Sequence, residues 1–95
     1  MYITIHNIDK LTPQQLLVEF LEAIKELADM DDSDYADRCD SHPEWVAKEC
    51  WKRMCEEDKN YVKKYVPNIE TSMTWGAMSD NFQRDFYNFY IGYYN

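Results

Sequence analysis

The sequence holds only two glycines and three prolines in 95 residues. A Gly-rich phosphate loop is therefore excluded. With 45% hydrophobic residues, so little Gly and Pro also argues against a disordered or low-complexity chain. The cysteines, Cys39, Cys50 and Cys55, are odd in number and too few for a disulfide scaffold, and they are expected to stay reduced, as in a cytoplasm. No window approaches 18 apolar residues, and Met1–His6 has neither a basic region nor a long apolar run. No transmembrane helix and no signal peptide are expected. Histidine is limited to His6 and His42, and no Gly-x-Ser-x-Gly turn is present. A single small domain of this length also offers little chain from which to build a substrate cleft. No catalytic residues and no enzyme are expected.

Basic residues are the remaining scarcity. Ten Lys+Arg stand against 18 Asp+Glu, a formal charge of −8 with a pI near 4.5. Such a surface repels DNA, RNA and anionic membranes. The excess is local. Residues 19–44 hold ten acids and two bases, a local charge of −8, while the flanking segments balance. The chain reads as a neutral body with one strongly negative region.

The pattern points to a mainly α fold with three principal helices. Thr12-Pro13-Gln14-Gln15 is a capping-box start, and Leu16, Leu17, Phe20, Leu21, Ile24 and Leu27 then recur at helical spacing. The spacing predicts a helix over about 13–29, with Glu19, Glu22, Glu26 and Asp29 along its opposite side. Ser41-His42-Pro43-Glu44 opens a second helix, expected to run over 43–65 until Pro67 stops it. Ser79 caps a third, over 79–94, with Trp75, Met78, Phe82, Phe86, Phe89 and Tyr93 in one arc. Met1–His6 alternates like a short strand, for which 68–74 is the one plausible partner within the chain, giving a small α+β variant of the fold.

Four constellations of residues bear on chemistry. Asp29, Asp31, Ser33, Tyr35, Asp37 and Asp40 share the 1, 3, 5, 7, 9, 12 spacing of an EF-hand loop, but Asp34 replaces the turn glycine and Asp40 the bidentate Glu. A solvated acidic loop is expected. Cys39, His42, Cys50 and Cys55 can be drawn as zinc ligands, yet Cys50 and Cys55 would diverge by about 140° on a continuous helix. No metal and no cofactor are expected. Tyr87, Tyr90 and Tyr94 form a second stripe on the last helix, about 100° from the apolar one. Tyrosines of this kind anchor protein interfaces. Lys48, Lys52, Arg53, Lys59, Lys63 and Lys64 read as a salt-bridged solvent face. Meeting the acidic region of a second copy, that face leaves a homodimer open.

In size, acidity, absence of catalytic motifs and abundance of aromatics, the chain resembles the small acidic single-domain inhibitors of phages and mobile elements, the anti-CRISPR and anti-restriction proteins. The resemblance implies a cytoplasmic protein that occupies a basic nucleic-acid channel or nuclease-docking surface of a host defence complex. It implies binding through Glu19, Glu22, Glu26, Asp29, Asp31, Asp32, Asp34 and Asp37, with anchors from Tyr35, Tyr87, Tyr90 and Tyr94. The rival expectation is a non-enzymatic adaptor, antitoxin-like partner or dimeric regulator that uses the aromatic C-terminal helix.

Overall fold

The computed structural model describes residues 3–29, 43–71 and 79–94. Helix α1, Pro13–Asp29, starts as its sequence dictates. The Gln15 N–H donates to Thr12 Oγ1 (3.2 Å), and the Thr12 N–H donates to Gln15 Oε1 (2.9 Å). This reciprocal capping box satisfies N–H groups that the helix itself leaves unpaired. The expected apolar stripe is buried: Phe20, Leu21, Ile24 and Leu27 are fully enclosed.

The second helical segment is broken. Instead of one helix over 43–65, α2 runs Pro43–Arg53 and α3 runs Glu56–Tyr65. Between them Met54 turns into the core and Cys55 is extended, at φ −72° and ψ 161°. Charge placement explains the break. Lys52 and Arg53 close α2, while Glu56, Glu57 and Asp58 open α3, so each helix end carries the sign its dipole favours. Cys55 occupies the N-cap of α3 without a side-chain cap hydrogen bond. Cys55→Ser supplies that acceptor. It is expected to raise stability by about 0.5–1 kcal/mol, read as a higher urea midpoint at unchanged m-value.

Over the described part of the expected N-terminal strand, residues 3–6, no strand forms. Thr4 and Asn7 close a turn instead, with the Thr4 N–H donating to Asn7 Oδ1 (2.9 Å) and the Asn7 N–H to the Thr4 carbonyl (3.2 Å). Short polar side chains compete in this way for backbone groups that a strand would need. A 3-10 turn, Ile8–Lys10, follows. The buried pair is therefore Ile3 and Ile8, and Ile5 is 63% exposed, against the alternation read from the sequence. The proposed partner segment is no strand either: Ile69–Thr71 is a 3-10 turn, and 72–74 lie outside the described residues. The fold among the described residues is all helical, and the α+β variant is withdrawn.

Helix α4, Asp80–Tyr94, begins where Ser79 predicts, with the Phe82 N–H donating to Ser79 Oγ (3.1 Å). Phe82, Phe86 and Phe89 are buried; Trp75 and Met78 lie outside the described residues. Helices α1 and α2 form the main packed pair, with the Phe20 and Trp51 rings 5.2 Å apart, and α4 closes over α1 and α3. Among the described residues, no helix is long and apolar enough to cross a membrane.

Candidate functional site

The acidic face of α1 and the tyrosine stripe of α4, read from the sequence as separate features, lie against each other. Tyr90 Oη donates to Glu22, 3.0 Å from both carboxylate oxygens, and Tyr94 Oη donates to Glu22 Oε1 at 3.0 Å. At the last residue of α1, the Tyr87 hydroxyl donates to Asp29. As α4 rises from 87 to 94 its partners on α1 fall from 29 to 22, so the two helices run antiparallel. Lys25 sits inside this arrangement. Its ammonium bonds Asp29 at 2.9 Å and lies 5.9 Å from the centre of the Tyr90 ring.

The electrostatics follow from these contacts. The Tyr87 phenol first, then the Lys25 ammonium, hold the Asp29 carboxyl below its ordinary range. Tyr87 is pushed up by its bond to Asp29. Tyr90 and Tyr94 are pushed up by desolvation first and then by the Glu22 carboxylate they face. A phenol braces a carboxylate without adding positive charge. Along this face Glu19, Glu22, Glu26 and Asp29 recur over ten residues, about 15 Å of axis at 1.5 Å rise, with Lys25 as the one opposing charge.

These shifts make the α1–α4 clamp sensitive to pH at both ends. Raised tyrosine pKa values give stability that is fully present below about pH 10. It is lost as the pH rises through the higher folded values. The lowered Asp29 value gives stability present above about pH 4 and lost as the pH falls through the folded value. An alkaline titration followed at the tyrosinate absorbance is expected to show Tyr87, Tyr90 and Tyr94 ionising late. Tyr87→Phe, Tyr90→Phe and Tyr94→Phe should each remove one of them.

The remaining sequence candidates divide by position. Glu19 is half-buried at the edge of the ridge and Glu26 is exposed on it. Asp31, Asp32, Asp34, Tyr35 and Asp37 lie outside the described residues, as do the rest of the EF-hand-like loop and the Cys39–His42 half-site. Glu44, which ends the acidic segment, is buried at the start of α2 and bonds Lys48 at 3.0 Å. Cys50 is buried in the core, where desolvation pushes its thiol up to about 12, whereas Cys55 is exposed at the α2–α3 break. One thiol inside and one outside do not converge. Among the described residues no group of three or more His, Cys, Asp or Glu side chains is placed to hold a metal ion.

The lysine-rich face is occupied as expected of a solvent face. Lys52 and Arg53 bond Glu49, Arg53 also bonds Asp9, and Lys63 bonds Glu70. Lys59 and Lys63 also lie over the Trp51 ring.

One concavity escaped the sequence reading. Tyr61 and Tyr65, on α3, are 41% and 48% exposed. With Phe89 and Tyr93 they line a groove of about 390 Å³ between α3 and α4. Tyr61 and Tyr65, four apart, share one side of α3, while Val62 takes the buried position. No family model, no curated protein and no solved structure matches the chain.

Proposed function

We propose that the protein is a non-catalytic, protein-binding inhibitor whose acidic ridge occupies a basic nucleic-acid channel or nuclease-docking surface of a host defence complex. The observation that carries this reading is that phenols from α4 brace two of the ridge carboxylates, Glu22 and Asp29. A carboxylate fixed by a neutral donor keeps its field and has less freedom to lose on binding. Four carboxylates over about 15 Å of helix approach, though more sparsely, the charge spacing of one nucleic-acid strand, about 3.4 Å per phosphate. Opposite fields would speed capture and make it salt-dependent.

Tyr87, Tyr90 and Tyr94, on which the adaptor reading is built, donate to Asp29 and Glu22 of α1, which favours the ridge over the stripe as the binding surface. Cleavage assays with CRISPR effectors and restriction nucleases test the proposal. A sensitive enzyme is expected to be blocked at stoichiometric protein, with relief by salt. Inhibition that persists undiminished at high salt would rule out an electrostatic mimic.

A further inference from the structure

The groove between α3 and α4 has a chemistry of its own. At about 100° per residue, Asp85, Phe89, Gly92 and Tyr93 lie on the side of α4 roughly opposite Tyr87, Tyr90 and Tyr94. The groove therefore does not share the ridge. We propose that it binds the arginine side chain of a basic peptide segment on a protein partner.

The walls are aromatic and partly exposed. Tyr65 and Phe89 are nearly parallel, at 19° with centroids 5.5 Å apart, and Tyr61 meets both edge-on at 80° and 67°. Ring faces carry partial negative charge and attract cations. This chain already uses its rings so: the Lys64 ammonium lies 5.5 Å from the centre of Tyr65.

Asp85 supplies a formal charge to the lining. Its side chain is 45% exposed, and the neighbouring Arg84 Nε stands 3.9 Å away, beyond hydrogen-bond reach. Its oxygens therefore retain capacity to accept from a fork of N–H donors. A planar guanidinium can stack on a tyrosine face and donate two parallel bonds to one carboxylate, which a compact ammonium cannot do. Among the described residues Asp85 is the one formally charged residue of the lining, and its sign favours a cation over an anion there. A groove of about 390 Å³ also has room for the side chain's stem as well as its head.

Gly92 makes the test clean. A Cβ placed there meets nothing within 4 Å, and the backbone lies outside the left-handed region. Gly92→Leu therefore fills the groove without disturbing the core.

The probes are a single-arginine hexapeptide of otherwise Gly and Ser, and its citrulline and lysine counterparts, titrated into the labelled protein by NMR. The arginine peptide is expected to shift the ring signals of Tyr61, Tyr65 and Tyr93. It should bind at least about fivefold more tightly than the neutral citrulline peptide and measurably more tightly than the lysine peptide. Gly92→Leu and Asp85→Asn are each expected to weaken it at least about fivefold, with the thermal midpoint of Gly92→Leu not lowered. Glu26→Lys, on the ridge, should leave it within about twofold, because exposed charges at a distance are screened. No shift at millimolar peptide, shifts confined to Glu22 and Asp29, equal binding of citrulline or lysine, or full binding by Gly92→Leu would each overturn the assignment. None of these outcomes depends on whether the ridge inhibits a nuclease.

Discussion

Phe86→Ala is expected to lower stability by about 3–5 kcal/mol, the largest loss of any single truncation in α4. The ring is fully buried, with centroids 5.9 Å from Tyr90 and 6.3 Å from Phe82 and from Tyr87. It is thus the point at which the apolar side of α4 meets the tyrosine stripe. Removal takes away the transfer energy of an aromatic ring and leaves a cavity that a helix pinned at Ser79 and at Glu22 is poorly placed to close. A domain of this size has roughly 5–15 kcal/mol in all, so the variant sits near its folding limit at 37 °C. Urea unfolding gives the loss, and the tyrosine titration gives its location. If α4 lifts from α1, Tyr90 and Tyr94 lose both desolvation and Glu22, and their ionisation returns toward that of free tyrosine. A loss below about 1.5 kcal/mol, well under the range for a buried aromatic, would show that α4 does not rest on the core through this residue.

Local rules carried most of the fold. The capping box at Thr12, the Ser79 cap and the 3.6-residue stripes were legible because each depends on residues within a turn or two of one another. The break after Arg53 was legible too: Lys52-Arg53 followed by Glu56-Glu57-Asp58 has the charge order of one helix ending and another beginning. That order is masked because Met54 and Val62 also fit the apolar spacing of one continuous helix over 43–65. Alternation at Met1–His6 misled for the opposite reason. Six residues are too few for period two to outweigh the turn chemistry of Thr4 and Asn7.

The candidate site was half visible. Both its components were read from the sequence, but their juxtaposition was not, because helical wheels carry no information about which helices become neighbours. A clue existed in the spacing. Glu22 and Asp29 lie seven apart on α1, as Tyr87 and Tyr94 do on α4, so one antiparallel alignment brings both ends of the stripe to a carboxylate. The groove, by contrast, lies between α3 and α4, and neither helix's own spacing shows that the two become neighbours.

The pairing of ridge and stripe decides which variants can test the proposed function. Charge reversal at Glu22 alters the surface but also strips Tyr90 and Tyr94 of their acceptor, and alanine at Tyr87 or Tyr90 releases the carboxylates it braces. Either change confounds binding with the seating of α4. A triple reversal of Glu26, Asp31 and Asp34 to Lys leaves Glu22, Asp29 and the three tyrosines themselves in place. Glu26 is exposed, and the change moves the formal charge from −8 to −2. Single close charge pairs at interfaces are worth about 1.5–7 kcal/mol, so three reversals are expected to weaken capture of an inhibited nuclease more than about 100-fold. Most of the fall at low salt should appear in the association rate. Tyr90→Phe in an otherwise intact ridge is expected to do less, about two- to fivefold, because it frees a carboxylate without removing its charge. Surface-binding kinetics across salt concentrations separate the two. Undiminished affinity in the triple variant, with its tyrosines still ionising late, would remove the ridge from the interface and leave the α3–α4 groove as the surface to test.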